Sequence, residues 1–147
     1  MYPWISQAIK EEQMRVTEVP GLQSNERIIW YDSFTRLQAT DDTVPWCSAF
    51  VCACLESTGF ESTRSSQAKS YLDWGKRAAP AFIFGSIAVL ERGKDQSQGH
   101  VGFVIGESDD SIILLGGNQL DSVCLMEFSK SKVIDYRLPD EPLCHAP

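Results

Sequence analysis

Along the first half of this 147-residue chain the apolar positions recur with helical spacing; along the second half they alternate or run in short blocks. The stretch "PWISQAIKEEQM" sets Trp4, Ile5, Ala8, Ile9 and Met14 near one stripe, with Pro3 suited to a first turn, and predicts a helix. After a turn at "VPG", Asn25 is placed to cap a second helix over "ERIIWYDSFTRL", whose buried side would hold Ile28, Ile29, Tyr31 and Leu37. A third helix is expected from about Trp46 to Thr58, apolar at Ala49, Phe50, Val51, Ala53, Cys54 and Leu55 and closed by Gly59. In "SSQAKSYLDWG" a serine cap, the apolar set Ala68, Tyr71, Leu72 and Trp74, and Gly75 as terminator predict a fourth, shorter one.

From Ser86 the period changes. "SIAVLER", "HVGFVIGE", "SIILLGG", "SVCLMEF" and "KVIDYRL" read as five short strands separated by Gly, Asp and Ser turns, in meander order, giving an antiparallel sheet. Helices followed by strands, rather than alternating with them, predict an α+β fold whose N-terminal helices pack on a C-terminal sheet. With 43% hydrophobic residues and no linker or repeat, one domain over residues 1–147 is the expected organisation, with a loose end at "PDEPLCHAP".

Charge narrows the partners. The net charge of −7, with 13 scattered Lys and Arg, opposes binding to nucleic acid or anionic lipid. The amino-terminal residues carry Lys10, Glu11 and Glu12 before any apolar run develops, which is no signal peptide, and no window nears the roughly 20 apolar residues of a membrane span. The expectation is a chain made in the cytoplasm without membrane insertion. Five cysteines without C-x-x-C spacing, and only His100 and His145 as imidazoles, point away from a metal site, and no cofactor is expected. A Cys124–Cys144 disulfide stays open, though an odd count leaves at least one thiol free.

Three places carry candidate chemistry. Cys47 falls in the first turn of the third helix, where unpaired N–H groups and the helix dipole favour a thiolate, while Cys54, on the same face, suits packing. His100 opens a strand after Gly99, and Gly102, on the same face, would leave space for the helix to bring thiol and ring together. On the next strand "LLGGNQLD" offers Asn118 to orient the imidazole, with Gln119 and Asp121 as competitors and Gly116 and Gly117 allowing close backbone approach. Tyr31, Trp46 and Trp74 are candidates for lining a substrate groove together with Gln119, against a core role that the three aromatics also fit. Adjacent acids, Asp41 with Asp42 or Asp109 with Asp110, offer a weaker route to glycan cleavage, since loop carboxylates are usually solvated.

Taken together, "VPWCSAFV", "GHVGFV" and "LLGGNQ", with "SYLDWG" and the closing "YRLP", resemble the NlpC/P60 and CHAP superfamily of papain-like peptidoglycan peptidases and amidases. The resemblance extends over nearly the whole chain and is closest to the compact branch found in phage lytic enzymes and type VI secretion amidase effectors. It implies a papain-like fold with Cys47 as nucleophile, His100 as general base and acid, and Asn118 as orienting residue. It further implies bacterial peptidoglycan as substrate, action in a target-cell periplasm after delivery by a dedicated machine, and a small immunity protein occluding the cleft. A phage endolysin, a thiol protease or acyltransferase of the same fold, and a non-catalytic module with Cys47 merely buried are the alternatives.

Overall fold

The computed structural model describes residues 1–20, 24–40, 45–78, 83–92 and 98–140. Helix α1 spans Pro3–Gln13, with Pro3 in its first turn and Trp4, Ile5 and Ala8 buried. The chain leaves the helix at Met14, and the left-handed Arg15 that follows (φ 53°) turns it away, so Met14 is exposed rather than part of the stripe. Helix α2 spans Glu26–Asp32, and the Asn25 side chain accepts from the N–H of Arg27 as expected of a cap. It ends earlier than its pattern suggests. Ser33 and Thr35 turn their hydroxyls onto the carbonyls of Trp30 and Asp32, competing with the helical ladder, and Leu37 is left exposed.

Glu11 ties the two helices together. Its buried carboxylate accepts from Nε and Nη2 of Arg27 at 2.7 and 2.6 Å, from the Tyr31 hydroxyl at 2.7 Å and from Gln7 at 2.7 Å. Burial alone would raise its pKa, but these donors and the Arg27 charge outweigh it and hold the carboxyl below its ordinary value. The Arg27 guanidinium also lies 3.9 Å over the Trp30 ring.

Helix α3, Cys47–Glu56, is buried at every residue from Cys47 to Leu55, as befits a helix apolar all round. It is covered by α1 and α2 on one side and by the sheet on the other. Gly59 takes the left-handed conformation (φ 92°) just beyond it. The fourth expected helix is a 3-10 segment, Ala68–Asp73, without a side-chain cap, and Gly75 (φ 62°) follows it.

Among the described residues the sheet has six antiparallel strands, β1 Lys76–Arg77, β2 Ile87–Glu91, β3 Gly99–Glu107, β4 Ser111–Gln119, β5 Ser122–Ser129 and β6 Val133–Leu138. The α+β class follows, with two corrections to the expected sheet. The short β1 is additional, and the order is β1-β6-β2-β3-β4-β5, so only β2 to β5 form a meander. Strand β6 returns to pair with β2 and β1 at the other end of the sheet. Ile87, Val89, Val101, Phe103, Leu115 and Val123 share a core with the helices. On the other face Ala88, Leu90, Val104, Ile112 and Leu114 form a second cluster, against which Phe128 of β5 and Val133 and Tyr136 of β6 pack.

Candidate active site

The site is built where strands β3 and β4 part. Their ladder runs from Glu107↔Ile112 to Phe103↔Leu115, and His100 and Val101 lie beyond its end. Helix α3 begins at this gap. Trp46, fully buried, stacks on Tyr31 at 5.9 Å and gives its indole N–H to Glu18, so the residue before Cys47 is held by packing rather than by a capping side chain. The Val101 N–H lies close enough to the Cys47 sulfur to favour its charged form, so the thiol reaches the backbone next to His100 from the helix side.

The glycine that lets α3 approach is Gly117. A Cβ there would lie 2.7 Å from Phe50 Cβ and 2.8 Å from the Trp46 ring. Gly102 was expected to make this space, but its missing side chain faces Leu114 on β4, on the sheet's second face. His100 is on that face too, opposite Leu90 in the β2–β3 register, with its ring stacked on Phe128 at 5.1 Å. Thiol and imidazole therefore come to the same strand end from opposite faces of the sheet, without a hydrogen bond between them among the described residues.

Gln119, not Asn118, holds the ring. Its Oε1 is 2.9 Å from His100 Nε2, and its amide nitrogen donates to the carbonyls of Cys124 at 2.7 Å and Leu114 at 3.3 Å. Carbonyl oxygens only accept, so the amide orientation is determined, and Nε2 of His100 carries the proton. Nδ1 makes no hydrogen bond among the described residues and is the basic nitrogen. Asn118 was expected here for its accepting side-chain oxygen next to Gly116 and Gly117, and unbroken alternation from Leu114 would put it on the ring's face. A bulge between Gly116 and Gln119 adds a residue to β4 and reverses that parity. Asn118 itself is left-handed (φ 56°), as are Leu120 and Asp121 in the hairpin turn (φ 52° and 59°), three non-glycine residues in a costly conformation beside one site. A Cβ on Gly116 would meet Gln119 Oε1 at 2.5 Å, so this glycine makes room for the folded-back glutamine.

Both reactive groups are nearly dry, Cys47 3% and His100 6% exposed. Burial raises the Cys47 pKa, and the N–H groups of Val101, Ser48 and Cys47 and the charge of Arg92 only partly offset it, so the thiolate bias expected of the helix start is overridden. Burial likewise lowers the His100 pKa, against the hydrogen bond that the ring gives to Gln119 and with the Arg92 charge adding to it. The resting pair is a neutral thiol and a neutral imidazole.

A cleft of about 440 Å³ opens on the second face beside His100, Asn118 and Gln119, with Phe128 and Met126 among its walls. Of the proposed groove aromatics, Tyr31 and Trp46 are fully buried in the core, and Trp74 packs edge-on against Tyr71 and does not line the cleft. Cys54 is buried as expected, its thiol pushed well up by desolvation, and Cys52 lies 3.1 Å from the Tyr71 hydroxyl. The Cys124 thiol donates to Gln119 O at 3.3 Å; Cys144, His145, Asp41 and Asp42 lie outside the described residues. Asp109 and Asp110 are exposed in the β3–β4 turn. Among the described residues no three His, Cys, Asp or Glu side chains gather as a metal site would need, and no helix is long and apolar enough to cross a membrane. No protein-family model, curated protein or solved structure matches the chain.

Proposed function

We propose that this protein is a cysteine-dependent amidase or endopeptidase of papain-like fold that cleaves an amide bond of the peptidoglycan stem peptide. The observation that carries the reading is that one end of β3 has the Cys47 thiol on one face and, on the other, a His100 whose Nε2 is occupied by Gln119, which leaves Nδ1 as a base. The resemblance of "VPWCSAFV", "GHVGFV" and "LLGGNQ" to peptidoglycan hydrolases supplies the substrate class.

The chemistry starts from the neutral pair. As the sulfur attacks the amide carbonyl, Nδ1 of His100 takes the thiol proton, and the gap between them closes around bound substrate. The N–H groups of Cys47 and Ser48, which already act on the sulfur at the start of α3, are placed to hold the oxyanion of the tetrahedral intermediate. The imidazolium then gives its proton to the departing amine, leaving a thioester on Cys47. A water, deprotonated by the same nitrogen, hydrolyses the thioester, releases the carboxylic acid and restores the thiol.

The test is digestion of purified peptidoglycan with mass spectrometry of the released muropeptides. Loss of all products in a folded Cys47→Ala protein supports the reading, and undiminished products overturn it. The same pair of proteins tests the cellular role. Carried to the bacterial periplasm by an added signal peptide, the unaltered chain should lyse the cell, while Cys47→Ala is tolerated. A delivered toxin of this kind calls for an immunity protein that blocks the cleft.

A further inference from the structure

The cleft beside His100 carries charges that the catalytic reading does not use. Arg92 follows β2, Lys132 closes the 3-10 segment Lys130–Lys132, and both border the cleft along with two carboxylates, Glu91 and Asp121. All four side chains are exposed, and none makes an ion pair among the described residues. That contrasts with the rest of the surface near the sheet, where Arg77 and Arg137 share Asp135 and Lys130 meets Glu107 at 2.8 Å. The cations and acids at the cleft are thus available, two of each sign, over a partly apolar floor that includes Phe128.

We infer that this cleft binds a zwitterionic amino-acid head group of the substrate, its carboxylate held by Arg92 and Lys132 and its ammonium by Asp121 and Glu91. A simple anion would be repelled by the two acids and a simple cation by the two bases, whereas a head bearing both charges is complementary to the whole rim. Arg92 and His100 line the same cleft, and the Arg92 charge acts on the imidazole, so the carboxylate subsite lies on the imidazole side of the proposed catalytic pair. The inference rests on the hydrolase reading for its substrate but not for its binding chemistry.

The test uses three versions of one stem peptide, with the head group free, with its carboxylate converted to carboxamide, and with its amine acetylated. The unaltered protein should turn over the free peptide with kcat/KM about tenfold or more above either blocked one, the range of a hydrogen bond to a charged group. Arg92→Gln and Lys132→Gln should each shrink the difference between free acid and carboxamide, and Asp121→Asn the difference between free and acetylated amine. Equal kcat/KM for all three peptides overturns the inference, as do preferences that survive every one of these substitutions. If no peptide is cleaved, the hydrolase reading falls, and calorimetric binding of the same three peptides decides the cleft separately. Tighter binding of the free head that Arg92→Gln abolishes supports it, and absent or indifferent binding overturns it.

Discussion

The two faces of the sheet solve different problems. On the helix side Phe103, Val101 and Leu115 share a buried core with Trp46, Phe50 and the rest of the helices, with the Cys47 thiol at its rim. On the second face the apolar cluster is small, and polar groups take over beyond Leu90 and Leu114, where His100, Gln119 and the charged cleft begin. The first face is close-packed and apolar, and the second carries the imidazole, its glutamine partner and the unpaired charges. A site at the strand end draws on both, because pairing between β3 and β4 has stopped there and the chain no longer separates the faces.

That contrast is most severely tested on the helix side. Replacing Glu11 with Ala should cost about 3 kcal/mol, near the lower end for breaking a buried pair because Arg27 keeps more than a third of its side chain in water. Chemical denaturation measures it. A cost under about 1 kcal/mol would mean that packing, not this carboxylate, joins α1 to α2.

The adjacent glycines sharpen the comparison further, since each faces a different side. Gly117→Ala drives a methyl group into Phe50 and Trp46 and should destabilise the protein by about 1–3 kcal/mol, with activity falling as α3 shifts. Gly116→Ala meets only the end of the Gln119 side chain, which can swing aside, so stability should hold within about 1 kcal/mol while turnover drops. Equal stabilities for the two variants would erase the distinction between faces.

Within the site, Gln119→Ala should lower kcat by about tenfold to a hundredfold through a misoriented imidazole, with KM little changed, and Asn118→Ala should do much less. The reverse order would return the orienting role to Asn118.

The smallest effect is in pH dependence. A base that works as neutral imidazole is active above its pKa, and His100 lies below the ordinary value of about 6.5, so the acid limb of kcat/KM should fall below that pH. Stability has the same sign. Between the lowered native value and 6.5 the unfolded chain binds more protons, so this group's contribution is fully present above 6.5 and declines as the pH falls through that interval. An acid limb above 6.5, or stability rising on acidification there, contradicts the buried neutral ring.

How much of this was legible follows from what kind of information each feature needs. Periodicity and caps located α1, α3 and the five longer strands, because the burial of a helix stripe or a strand face is written locally in the order of residues. The Pro3 turn, the Asn25 cap and the glycines after α3 and the 3-10 segment are local as well, which is why they stand. So is the start of α3 at Cys47 and the start of β3 at Gly99, which brought Cys47 and His100 to element ends. What the pattern misplaced was set by partners distant in the chain. Strand β6 crosses to β2, where Val133 pairs with Leu90 and Tyr136 with Ala88 and both pack on the second-face cluster, an economy of burial that no window of sequence contains. Tyr31 and Trp46 became core because α2 and α3 pack face to face, and Glu11 became an anchor because Arg27 and Tyr31 arrive around it from the second helix. The bulge in β4 moved the orienting role by one residue, since a period of two has no memory of an inserted residue. The candidate groups, a thiol and an imidazole at element ends, were therefore legible in the sequence alone, and the choice among neighbours, Gln119 over Asn118 and Gly117 over Gly102, was decided by tertiary packing, where one ångström or one residue of register selects which group reaches the ring.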